Sequence, residues 1–290
     1  MAGTRKGTRN CGGNVADMHE RGHQQGNAPS ARNLLRRGML LACLVIPTSM
    51  VGGGAMAQAH DYREPPRQDW SFTGPLGHFD MASVQRGYTV YAQVCSACHG
   101  MKSVTYGDLA GLGLKEADIN AIAGAHRVPA GVDASGHPTT RPANMDDHLL
   151  SPYPDTHTAA AANHGVVPPD QSRLAVVHPG GVDRIYAFLT GYGQTPPPGT
   201  VVPPGLFYNP YAANGQIAMP PPLYDGAITY PDGTPATVAQ QARDVTTFLA
   251  WAASPHLVER HRTGVGAAVF LLILLILSIC LKRRTWSNVH

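Results

Sequence analysis

Apolar positions along this 290-residue chain form two unbroken runs toward its ends and, between them, short stretches at helical spacing. The C-terminal run, "GVGAAVFLLILLILSICL" at 264–281, holds eighteen residues without a charge. At 1.5 Å per residue it extends about 27 Å, enough to cross the hydrocarbon core of a bilayer. It shows no polar face, unlike a core helix of a soluble domain. Between the runs, Asp80 is placed to cap a helix running through "MASVQRGYTVYAQVCSACH", with Val84, Tyr88, Tyr91 and Cys95 on one stripe. Short helices are predicted over 114–125 and 156–164, and from Gly180-Gly181 through "VDRIYAFLTGY". A longer one is predicted over 238–253, with Val238, Ala242, Val245, Leu249 and Ala252 at helical spacing and Pro255 after it. Segments 61–79, 127–155 and 193–235, rich in Pro, Gly and turn residues, read as irregular. The expectation is a mostly α fold with long Pro/Gly-rich loops and a single C-terminal transmembrane helix.

The N-terminal run changes how the charge is read. "LLRRGMLLACLVIPTSMVGGGAMAQA", 34–59, has paired arginines, a short apolar stretch and small-residue cleavage choices after Ala57 or Ala59. This is the pattern of a secretory signal behind a long polar leader. Arg36-Arg37 is a single pair beside an apolar run and a weak twin-arginine signal, so general export is the expectation, and Met18 is a second candidate start. The division expected is a leader over 1–57, an exported domain over 58–262, an anchor helix over 263–282 and a cytoplasmic tail over 283–290. Lys282, Arg283 and Arg284 suit the cytoplasmic side, although Arg260 and Arg262 weaken the asymmetry. The localisation expected is a bacterial inner membrane, crossed once, with the domain in the periplasm. The formal charge of the full chain is +3, yet residues 58–262 carry twelve Lys/Arg against seventeen Asp/Glu. An acidic surface steers basic partners and disfavours nucleic acid.

Loss of the leader removes Cys11 and Cys43, leaving Cys95, Cys98 and Cys280. Cys95 and Cys98 stand in "VCSACHG", a C-x-x-C-H sequence, which reads as a site of covalent c-type haem attachment. In that reading both thiols form thioethers to the porphyrin vinyl groups, and His99 is the proximal iron ligand. A redox CxxC pair, half a zinc site and a plain disulfide are the alternatives. The βαβ context of the first is missing, and no second Cys pair completes the roughly four ligands of the second. With a second axial ligand such a centre carries electrons; without one it binds small molecules. Among the methionines, Met81 and Met101 lie too near His99 along the chain, and Met145 sits beside two aspartates. Met219, in "YNPYAANGQIAMPPPL", is backed by three prolines and is the favoured candidate. His126, His164 and His178 keep a bis-histidine centre open.

The segments "FTGPLGHFDMASVQRGYTVYAQVCSACHGM", "SPYPD", "AANHGVVPPD", "GGVDRIYAFLTGY", "YNPYAANGQIAMPPPL", "ARDVTTFLAWAASP" and "LKRRTWSNVH" resemble the cytochrome c1 family in order and spacing. The resemblance spans about residues 68–290. It implies an all-α haem domain around one covalent haem c, with Cys95 and Cys98 as attachment sites and His99 and Met219 as axial ligands. It also implies assembly with cytochrome b and a Rieske iron–sulfur subunit in a dimeric quinol–cytochrome c reductase, a cytochrome c as electron acceptor, and no quinol chemistry in this chain by itself. A free-standing membrane-anchored cytochrome and a haem enzyme or sensor with an open sixth site are the other readings. Two positions depart from the family pattern. Ala160 stands where A-R-A-A-N has the arginine expected to meet a haem propionate, leaving Arg173 and Arg184 as substitutes, the latter at a usually aromatic position. Gln171 replaces the leucine of P-P-D-L-S and reads as drift.

Overall fold

The computed structural model describes residues 63–287, so the expected leader over 1–57 and the last residues of the tail lie outside the described residues. Seven helices follow in chain order: α1 (Met81–Gln93), α2 (Glu116–Gly124), α3 (Thr156–Ala162), α4 (Leu174–Val177), α5 (Gly181–Thr190), α6 (Val238–Ala253) and α7 (Leu257–Trp286). Three pairs of short antiparallel strands fill the loops: β1 (Met101–Thr105) with β4 (His148–Leu149), β2 (Arg127–Val132) with β3 (Pro138–Pro142), and β5 (Phe207–Tyr208) with β6 (Gln216–Ile217). The mostly α class holds.

Local chemistry sets the helix starts. The Asp80 carboxylate accepts the Ala82 amide at 3.1 Å, the Asp155 carboxylate accepts Thr158 N at 2.7 Å, and Thr237 Oγ1 accepts Gln240 N at 3.2 Å. The predicted span of α6, 238–253, agrees with the structure, and the chain breaks at Ser254–His256 around Pro255 before α7 begins. Helix α7 is longer than its apolar run. Its thirty residues include an 18-residue window of mean hydropathy 2.9, none of it buried, long and apolar enough to cross a membrane.

Segment 127–155 differs from the loop expected. Residues 127–142 form a hairpin whose turn is organised by Asp133, its Oδ1 accepting Ser135 N at 2.8 Å and His137 N at 2.9 Å. Strand β2 buries only Val128, so no alternation of apolar residues announces it.

The core is organised by α1 against α6. Residues 241–251 of α6 are almost all buried, and Asp244, with no exposed surface, is among them. Its carboxylate accepts from Ser83 Oγ at 2.6 Å, Arg86 Nε at 3.0 Å and Gln240 Nε2 at 2.9 Å. Arg86 also reaches Asp232 at 2.9 Å, and these carboxylates hold its guanidinium pKa above the usual arginine value. Beside this network Gly87 lets the two backbones touch: a Cβ there would overlap the Asp244 carbonyl oxygen and lie 2.6 Å from Phe248 Cβ. Around the contact Tyr88 meets Phe248 edge-on, Tyr91 lies tilted against it, and Trp251 stacks on it.

Gly87→Ala tests how tightly this contact is set. Helix propensity alone favours alanine by up to about 1 kcal/mol. Overpacking against a backbone that cannot retreat is expected to dominate and lower stability by about 1–3 kcal/mol. Thermal unfolding of the full chain in detergent measures the sign.

Candidate functional site

Helix α1 ends at Gln93, and the C-x-x-C-H sequence follows on a separate 3₁₀ turn, Cys95–Ala97, rather than on a continuation of the helix. Cys98 N and His99 N both donate to Cys95 O, at 3.1 and 2.9 Å. At three residues per turn, positions three apart eclipse, so Cys95 and Cys98 still share one side. Both are free, half-buried thiols. Burial, with a smaller contribution from Cys98, pushes the Cys95 thiol up to about 12, so it stays protonated and is a poor thiolate. Among the described residues no group of three His, Cys, Asp or Glu side chains is gathered as a metal site would require. The further ligands that a zinc ion needs are not gathered beside Cys95 and Cys98 among the described residues.

His99 is fixed from the far side of the turn. Its Nδ1 lies 2.8 Å from Pro169 O. A carbonyl only accepts, so Nδ1 carries the proton and Nε2 keeps its lone pair. Burial lowers the His99 pKa and favours this neutral form. The loop bearing Pro169 is pinned by Asp170, which accepts Lys102 N at 2.8 Å and Ser172 N at 3.0 Å, and by Gln171 N donating to Gly100 O at 2.9 Å.

In a distant segment of the chain, β5 and β6 pair Phe207 with Ile217 and Tyr208 with Gln216, and β6 leads straight into Ala218-Met219. Cys95, Cys98, His99 and Met219 line one cleft, with a cavity of about 260 Å³. Its sides come from Leu174 of α4, Ile185, Phe188 and Leu189 of α5, and Val245 and Leu249 of α6. Among the described residues, no Asp, Glu, Lys or Arg lines it. An apolar slot lined by two thiols, an imidazole and a thioether suits a flat, largely apolar macrocycle bearing a metal.

The family model for the cytochrome C1 family matches residues 70–289. This chain belongs to the cytochrome c1 family. It is 42% identical to "Cytochrome c1, heme protein, mitochondrial" of Kluyveromyces lactis, over 81% of this chain and 80% of the relative. It is 40% identical to "Cytochrome c1" of Rhodospirillum rubrum, over 89% and 97% of the two chains. A third relative, "Cytochrome b-c1 complex catalytic subunit, mitochondrial" of Candida albicans, is 38% identical over 87% of each.

Within this cytochrome c1 fold the other candidates separate clearly. Met101 is in the core, Met81 is on the surface, and Met145 packs beside the core with its carbonyl accepting Gly107 N. Of the three histidines, His126 stacks on Tyr106 in a separate cavity, and His164 turns the backbone after α3 with φ 54°. His178 does line the cleft, packed edge-on to Phe188. Ala160 is half-buried on α3 and Arg173 is exposed. Arg184 is buried, donates to Tyr211 O at 2.8 Å and lies 5.0 Å over the Phe188 ring, one layer behind the cleft wall. Gln171, read from the sequence as drift, is 8% exposed and lines the cleft. The acidic pair Asp146-Asp147 is also unequal. Asp147 is clamped by Arg141 at 2.6 and 2.7 Å, which depresses its pKa, while Asp146 is exposed.

The sequence reading missed Pro169, Tyr192 and Asn209, whose roles depend on partners far along the chain. Asp170→Ala removes two charge-assisted bonds from the loop that orients His99. It is expected to cost about 2 kcal/mol in thermal unfolding, with Asp170→Asn, which keeps an acceptor, losing less.

Proposed function

We propose that this chain carries one haem c, held through thioethers from Cys95 and Cys98 with His99 and Met219 as axial ligands. It serves as the electron-transfer subunit of a quinol–cytochrome c reductase. The observation that carries the reading is the shared cleft, which gathers these four side chains from two distant segments. Family membership supports the haem, and the names of relatives from Candida albicans and Bradyrhizobium diazoefficiens, the latter "Cytochrome b/c1", support cytochrome b as partner. The electron donor in this reading is a Rieske iron–sulfur protein, the acceptor is a cytochrome c, and the assembly is dimeric. Quinol oxidation belongs to the assembly and not to this chain alone. Residues 58–262 form the periplasmic domain, α7 anchors it in the bacterial inner membrane, and Lys282–Arg284 start the cytoplasmic tail.

When bound, haem c supplies one reversible electron at its iron. The residues of this chain do the rest. Cys95 and Cys98 would hold the group covalently, each through a thioether formed by addition of its S–H to a vinyl substituent. The Pro169 carbonyl holds the His99 ring in the tautomer that offers Nε2. Met219 offers a soft, weakly basic sulfur that favours the reduced metal and raises the potential. The apolar walls from α5 and α6 exclude water.

Replacing both Cys95 and Cys98 with alanine is expected to abolish covalent haem staining on a denaturing gel; full staining would refute attachment. Met219→Leu is expected to lose the methionine–ferric charge-transfer absorption, lower the potential and admit carbon monoxide, while Met145→Leu changes none of these. The reverse pattern would overturn the ligand assignment. Reduction of a basic cytochrome c is expected to slow as ionic strength rises, because exposed charges act on encounter over a screening length near 10 Å at 0.1 M salt. Asp146→Asn is expected to weaken that salt dependence more than Asp147→Asn, whose carboxylate is already neutralised by Arg141. A rate that stays flat across salt would refute steering.

A further inference from the structure

Met219 is followed by Pro220, Pro221 and Pro222, and this creates a problem for its own carbonyl. A carbonyl in a turn accepts from the amide three residues on, but residue 222 is proline and has no N–H. Residues 220 and 221 have none either, so none of the next three residues can donate to Met219 O. The donor is Tyr192, whose hydroxyl donates to Met219 O at 2.8 Å.

The phenol is itself firmly placed. Tyr192 follows the end of α5 at Gly191, where a Cβ would lie 2.8 Å from the Tyr211 ring and 2.9 Å from Asn209 Oδ1. The end of the helix is thus pressed directly against the loop that leads to β6. Asn209, fully buried, ties the two together: its Nδ2 donates to Phe188 O at 2.8 Å and its Oδ1 accepts Tyr211 N at 3.1 Å. Asn209 N in turn donates to Gly215 O at 2.9 Å, closing the hairpin that delivers Met219. Helix α5 lines the cleft with Ile185, Phe188 and Leu189, so Tyr192 joins the methionine segment to a wall of the cleft.

From this we infer that Tyr192 is the positioning residue for Met219, its O–H being the donor that holds the thioether segment at the cleft. The inference rests on Met219 being the sixth ligand and adds what keeps it there. The prolines make the segment stiff but give it no N–H donors. Stiffness alone lets it swing as a unit, and the phenol prevents that. Without the bond, states with Met219 withdrawn gain population while the haem attachment at Cys95 and Cys98 is untouched.

The test uses the full-length, haem-loaded protein in detergent. Tyr192→Phe removes one oxygen and is expected to retain covalent haem at wild-type stoichiometry. Its methionine–ferric charge-transfer absorption is expected to weaken, and carbon monoxide binding to the ferrous form to accelerate about fivefold, the factor corresponding to one net hydrogen bond of about 1 kcal/mol. Replacing Tyr192 with 4-aminophenylalanine keeps a donor at that reach and is expected to restore both values. Replacing it with 4-fluorophenylalanine keeps the volume without a donor and is expected to behave as Tyr192→Phe, which guards against a merely ill-packed variant. Wild-type absorption and binding rate in Tyr192→Phe would overturn the inference, as would failure of the amino analogue to restore them. Met219→Leu, run alongside, separates the two levels: if it leaves absorption and binding unchanged, the ligand assignment falls and this inference with it.

Discussion

Helices α1 and α6 meet backbone to backbone at Gly87, beside an Asp244 carboxylate that has no contact with solvent. A buried carboxylate is costly unless its oxygens are paired and hydrogen-bonded, and here Ser83, Arg86 and Gln240 all donate to it. Such a network contributes more to register than to net stability, because only one alignment of the two helices brings these donors together. That alignment positions the rest. Helix α1 ends one residue before the Cys95–Ala97 turn, and α6 presents Val245 and Leu249, one and five residues after Asp244, to the cleft. One helix contact therefore sets where Cys95 and Cys98 stand and one side of the cleft.

The remaining walls are built with little regular structure. The loop of Pro169 orients His99, α5 supplies an apolar face, and a two-residue strand pair delivers Met219. Loops can do this because specific side chains take the place of ladder bonds: Asp170 for the Pro169 loop, Asn209 and Tyr192 for the methionine loop. A cofactor seated in the cleft adds apolar contact that a chain with about a fifth Pro and Gly would otherwise need to supply from helices. Membership of the cytochrome c1 family and the gathering of Cys95, Cys98, His99 and Met219 point the same way.

What could be read from the sequence follows from how local each signal is. Helix α6 was legible because five apolar residues recur at helical spacing, and α7 because its run has no charge at all. The β2–β3 hairpin was not legible, since it is wetted on both faces and leaves no alternation to detect. Cys95, Cys98 and His99 stand out because their chemistry needs a fixed short spacing. Met219 could be favoured only through its prolines, and the bond that completes its setting comes from Tyr192, on another element. Gln171 looked neutral as a letter and is distinctive only as a buried amide in an apolar wall.

The central claim is that this cleft seats iron between one imidazole and one thioether. His178, which also lines it, is the competing ligand within reach of the same space. Iron-edge X-ray absorption on the purified full-length protein distinguishes them directly. The account predicts one sulfur in the first coordination shell beside nitrogens, in both oxidation states, and its loss in Met219→Leu. A shell of nitrogens alone would contradict it.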